Sequence, residues 1–129
     1  MKEIKNIITF ACISGITAVI LGAFGAHALK SALPPEQLES YRTAVLYQFI
    51  HTLAIIAVLI LYIITSNNVF KRAAILFALG VVFFSGSIYL LSTQSLTRLN
   101  LSILGPITPI GGLLFIIGWL TAACGARKL

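Results

Sequence analysis

Between Arg42 and Lys71 the chain reads TAVLYQFIHTLAIIAVLILYIITSNNVF, from Thr43 to Phe70, without one Asp, Glu, Lys or Arg. About 20 residues of helix cross the hydrocarbon core of a bilayer, so this run is long enough to span it. A barrel strand would alternate apolar and polar residues over about 10 positions. Here the apolar character is continuous, and the polar residues Tyr47, Gln48, His51 and Thr52 sit in it singly or in pairs. Lipid offers no partner to a free N–H or C=O, so an apolar segment of this length is a helix.

Outward from this segment lie three more uncharged stretches, Asn6–Leu29, Ala73–Thr97 and Leu99–Ala126. The expected fold is all-α: a single-domain integral membrane four-helix bundle with spans near 7–28, 43–65, 72–92 and 106–125. Composition agrees. Hydrophobic residues make up 59% of the chain and charged ones 9%, where a soluble domain carries about 25% charge. A soluble core of this size has no room for so much apolar surface. The first span has a rival reading as a secretory signal, with Lys2 and Lys5 in front and Ala26-His27-Ala28 as a small-residue cleavage site. The apolar run exceeds the 7–15 residues usual for such a signal, so a retained span is expected.

The net charge of +6 does not point to nucleic acid, because the basic residues are scattered and form no stripe. They read instead as topology signals. Lys2, Lys5, Lys71, Arg72, Arg127 and Lys128 flank one side of the four spans. Lys30, Arg42 and Arg98 flank the other, offset by Glu36 and Glu39. The excess places both termini in the cytoplasm. Cys12 and Cys124 show no metal-ligand spacing, and both fall toward the cytoplasmic side. They read as small packing residues, not as a disulfide.

Small residues recur four apart at Ala18, Gly22 and Ala26, a spacing that lets helices approach closely in lipid. The stripe suits packing within the bundle, or a homo-oligomer interface. Pro34-Pro35-Glu36 suits a helix start and predicts either a short interfacial helix or an upward extension of the second span. In Gly105-Pro106-Ile107-Thr108-Pro109-Ile110-Gly111-Gly112, Thr108 before Pro109 predicts an N-cap, with irregular chain from Leu99 to Ile107.

The candidate functional residues are His27, Gln48, His51, Ser85, Tyr89 and Thr108. All are expected in the outer half of the membrane, above an inner half packed with apolar side chains. Ionisable residues inside a membrane are functional candidates by default. The competing role is structural, since polar side chains also join helices by hydrogen bonds. Two histidines on separate helices, even with Glu36 or Glu39, make a poor metal set. No nucleotide, zinc-protease or serine-hydrolase motif is present, so neither a metal, a cofactor nor a catalytic residue is assigned.

Gly22-Ala-Phe-Gly-Ala-His27, Tyr47-Gln-Phe-Ile-His51, Phe84-Ser-Gly-Ser-Ile-Tyr89, the Gly105–Gly112 segment and Trp119 follow one another in that order. Together they resemble the bacterial domain-of-unknown-function family numbered 423, small inner-membrane proteins; the eukaryotic transmembrane protein 256 group looks related. The resemblance covers nearly the whole chain. It implies a four-helix membrane protein and brings no reaction, substrate or cofactor with it. The expected function is non-enzymatic: binding of a lipid headgroup, a small polar ligand or a membrane partner in an outer-half polar pocket. The alternatives are a small transporter or channel subunit and a lipid-modifying enzyme using His51.

Overall fold

The computed structural model describes residues 1–127 and 129. Lys128, one of the basic residues counted for topology, lies outside the described residues. The helices are α1 (Lys2–Ala26), α2 (Ala28–Ala32), α3 (Pro35–Thr65), α4 (Asn68–Gly80), α5 (Gly86–Ser92), α6 (Gln94–Thr97) and α7 (Ile107–Ala126). A π-helical turn, Val81–Ser85, joins α4 to α5 without a break, and a 3₁₀ turn covers Ser102–Leu104. Among the described residues there is no strand. Four helical segments are long and apolar enough to cross a membrane: α1, α3, Asn68–Ser92 and Ser102–Ala126. Their outward residues, such as Ile16, Leu53, Ile64, Ile116 and Leu120, are large and exposed, which suits a hydrocarbon solvent.

Local chemistry sets the ends. Pro35 opens α3 with Glu36 in its first turn. At 1.5 Å per residue, its 31 residues reach about 46 Å, so its first turns extend above a hydrocarbon core of about 30 Å. Ser66 closes it in the left-handed region, φ 55°, with its N–H on the Tyr62 carbonyl at 2.8 Å. Asn67 caps α4 by accepting the Val69 N–H at 3.1 Å. Both chain ends lie at one end of the bundle, the terminal end, where Lys71 Nζ meets Glu3 Oε2 at 3.0 Å. The other end, carrying α2, α6 and the 3₁₀ turn, is the loop end.

The π turn interrupts the third span. The fourth α-helix begins at Ile107, beside the start expected near Thr108, but one expectation needs correction. Thr108 does not cap it, because its hydroxyl lies 2.6 Å from Ser87 Oγ on the neighbouring span.

The helices pack in the order α1, α3, α4–α5, α7, with α1 and α7 on opposite sides of the central pair. Of the small-residue stripe of α1, Ala18 is fully buried and a Cβ at Gly22 would meet Val45 of α3 at 3.4 Å, whereas Ala26 is exposed. Gly25, one position earlier, takes its place against α3, where a Cβ would meet the Tyr41 ring at 2.8 Å. The α4–α7 contact follows a stricter rule. Phe70 fills the space at Gly125, Phe77 the space at Gly118, and Phe115 the space at Gly80. At Gly111 the neighbour is backbone, with Phe84 Cα 2.6 Å from where a Cβ would stand. Phe70, Phe77 and Phe84, and likewise Gly111, Gly118 and Gly125, are seven apart, so the two antiparallel helices interlock like teeth. Ile55, Leu59, Phe70, Ala73, Ala74 and Phe77 form the core of the terminal half.

Candidate functional site

α3 and α7 both pack closely on the α4–α5 span and meet each other only through side chains, chiefly His51 with Phe115 and Trp119, so a crevice runs between them. On α3, Glu36, Ser40, Thr43, Tyr47 and Ile50 recur every three or four residues and therefore share one face. At the loop end this face, with Gln37, Ile88, Ser92 and Thr108, lines an open cavity of about 530 Å³. One turn deeper, Tyr47, His51, Phe84, Pro109, Gly112 and Trp119 line a second cavity of about 810 Å³. Tyr47, Leu113, Ile116 and Trp119 at its rim are exposed, so it opens sideways toward lipid. The crevice is polar at the loop end and aromatic one turn further in.

His51 lies at the floor of the deeper part and is 4% exposed. Its ring stacks on Phe115, with centroids 3.5 Å apart and planes within 10°. The Trp119 indole N–H donates to Nε2 at 3.2 Å. An indole only donates, so Nε2 accepts and the ring proton sits on Nδ1. Nδ1–H then donates to the Tyr47 carbonyl at 2.8 Å. Both nitrogens are engaged and the imidazole is held neutral. A general base needs a free lone pair facing substrate, which this ring does not offer.

Gln48 faces the other way, toward α1. Its amide donates to the Ser14 carbonyl and to Thr17 Oγ1, each at 2.9 Å, while Tyr89 Oη donates to its carbonyl at 2.6 Å. Ser14 and Thr52 hydroxyls pair beside it at 2.6 Å. Ser85 Oγ donates to the Ala44 carbonyl at 2.8 Å, and Tyr41 Oη to the Leu21 carbonyl at 2.7 Å. Each bond joins two different spans. Among the described residues, no buried side-chain nitrogen or oxygen lacks a partner.

The six predicted residues thus fall in four places. Gln48 and Tyr89 meet directly between α1, α3 and α5. Ser85 ties α5's approach to α3. His51 and Thr108 belong to the two ends of the crevice. His27 stands apart at the loop end of α1, exposed, with Nδ1 3.0 Å from the Ala23 carbonyl. Glu36, Ser40, Thr43, Phe115 and Trp119 were not among the predicted site residues. The spacing of the first three with Tyr47 is visible in the sequence, but only the placement of α7 gives that face an opposite wall. Among the described residues, no three His, Cys, Asp or Glu side chains gather as a metal site.

Comparison with known proteins gives the lineage. Residues 21–112 match a family profile described as "Protein of unknown function (DUF423)". The chain belongs to this family. A UPF0382 membrane protein of Staphylococcus saprophyticus is 42% identical over 125 residues, covering 97% of this chain and 99% of that one. The UPF0382 membrane protein YwdK of Bacillus subtilis is 40% identical over 126 residues, 96% and 98% of the two chains. The UPF0382 inner membrane protein YgdD of Escherichia coli is 36% identical over 125 residues, 97% and 92%. No solved structure matches the chain. With its four apolar spans, this DUF423 member is a multi-pass protein of the bacterial inner membrane. The matched region runs from the second half of α1 to Gly112, so it holds all six predicted residues and most of the crevice, but not Phe115 or Trp119.

Proposed function

We propose that this protein binds a membrane lipid in the α3–α7 crevice and does no chemistry on it. The observation that carries this reading is the change of lining between two neighbouring cavities that follow one face of α3. Carboxylate, amide and hydroxyl groups line the surface end, and aromatic and aliphatic groups the deeper end. A lipid has the same order of head and chain. Small-molecule sites share this character of apolar walls with a few placed polar groups.

The engaged nitrogens of His51 count against a lipid-modifying enzyme. The closed core of Ile55, Leu59, Phe70 and Phe77 counts against a pore through the single chain. Gly112 supplies the test. It lines the groove, and a Cβ there meets only the Phe84 ring, at an ordinary 3.7 Å. Gly112→Trp fills the groove from a position where the helix has room. Wild-type protein purified in mild detergent should retain about one lipid per chain by native mass spectrometry, and Gly112→Trp should lose it. Equal retention by a folded Gly112→Trp protein would overturn the reading.

A further inference from the structure

We propose that the surface end of the crevice takes a primary-ammonium lipid head, of the ethanolamine class, with the Glu36 carboxylate as its counter-charge. This rests on the groove reading above and adds to it the chemistry of the head.

The hydroxyl protons around this cavity are largely directed away from it. Thr43 donates to the Glu39 carbonyl at 3.1 Å, and Ser92 donates to the Tyr89 carbonyl at 3.4 Å. Ser87 donates to the Phe84 carbonyl at 3.0 Å, so in the 2.6 Å Ser87–Thr108 pair the proton comes from Thr108. Ser95 donates to Gln37 Oε1 at 2.9 Å. What remains toward the cavity is chiefly lone pairs on Thr43, Ser92 and Thr108, with the Glu36 carboxylate. The free side-chain donors are the Gln37 amide and the Ser40 hydroxyl. Among the described residues no lysine or arginine lines the cavity, and Glu36 has no ion-pair partner. A wall rich in acceptors with one unpaired carboxylate complements a head that carries positive charge and donates hydrogen bonds. A primary ammonium does both. A choline head has the charge without an N–H, and a glycerol head has hydroxyls but leaves the lipid anionic. The phosphate of an ethanolamine lipid then lies toward Gln37, Ser40 and water.

The test uses the full chain in neutral detergent, titrated with phosphatidylethanolamine, phosphatidylcholine and phosphatidylglycerol of identical acyl chains and read by native mass spectrometry. Phosphatidylethanolamine should bind roughly tenfold more tightly than either of the others, the scale of one charge-assisted hydrogen bond. Glu36→Gln, at an exposed helix start that does not affect packing, should bring the three lipids to within about twofold, since the carboxylate is the only charge in the wall. Equal binding of all three by wild type, tighter phosphatidylglycerol binding, or an unchanged preference in Glu36→Gln each overturns the head-group assignment while the groove reading stands. Lipid retention indifferent to Gly112→Trp overturns both.

Discussion

Gly111→Ala should be among the most damaging single-methyl additions available to this fold. Its Cβ would stand 2.6 Å from Phe84 Cα and 2.7 Å from the Phe83 carbonyl carbon. Carbon atoms rest at about 3.5–4.0 Å, so α7 and the π turn must part by roughly 1 Å. The obstacle is backbone, and no rotamer change relieves it. A gap of 0.5–1 Å forfeits a quarter to a half of each dispersion contact, and the neighbouring Gly80–Phe115 and Gly118–Phe77 contacts would share it. Overpacking costs about 1–3 kcal/mol, and this site belongs at the upper end. Against that, Ala gains about 1 kcal/mol over Gly in helix propensity. The net expectation is a loss of about 2 kcal/mol. Gly86→Ala is the control, because nothing lies within 4 Å of its Cβ and only the propensity gain applies.

Unfolding in mixed micelles with rising dodecyl sulfate, followed by helical circular dichroism, measures both. The nature of each obstacle gives a second readout. In a Phe77→Ala background, Gly118→Ala should add no further cost, because its clash is with that ring at 2.6 Å. In a Phe84→Ala background, Gly111→Ala should keep its full cost, because its clash is with the main chain. Stability of Gly111→Ala equal to that of Gly86→Ala would refute the interlock between α4 and α7.

Gln48→Leu removes two donated bonds and one accepted one between spans; at about 0.6 kcal/mol each it should lower stability by about 1–2 kcal/mol in the same assay, leaving Tyr89 Oη without its acceptor. Trp119→Phe should preserve the fold but release His51 Nε2, which nitrogen NMR of the labelled imidazole will report as a tautomer mixture in place of one Nδ1–H form. Topology follows from impermeant thiol labelling in a Cys12→Ala/Cys124→Ala background. In intact cells Asn100→Cys should label and Asn67→Cys should not, and the reverse pattern would invert the proposed cytoplasmic placement of the termini.

The spans were legible because lipid leaves a chain few choices, and uninterrupted runs such as Thr43–Phe70 admit only helix. The polar residues were legible as exceptions, but their partners were not. Tyr47, Gln48 and His51 fit on one broad face of a helix by spacing. In the structure, Gln48 looks to α1 while His51 looks to α7, a difference set by where the neighbours stand. The N-cap role assigned to Thr108 rested on sound local chemistry, a hydroxyl residue ahead of proline. A tertiary partner, Ser87, occupies that hydroxyl instead. The π turn left no local mark, since Val81–Ser85 reads like any apolar helix. The sevenfold spacing of phenylalanines and glycines was present in the sequence, yet it gains meaning only when two antiparallel segments are laid together.

The two outer helices are held to the centre by unlike means, and this bears on the order in which the chain assembles during synthesis. α1 is tied to α3 through Ser14, Thr17, Gln48 and Tyr41, groups that find one another as soon as two spans share the bilayer. α7 is held chiefly by fit, with the Thr108–Ser87 and Trp119–His51 hydrogen bonds beside it, against a ridge of Phe70, Phe77 and Phe84 that lacks this cover until the last span leaves the ribosome. An amino-terminal hairpin can thus rest in the membrane early, while the groove and both its walls come into being only with the final helix.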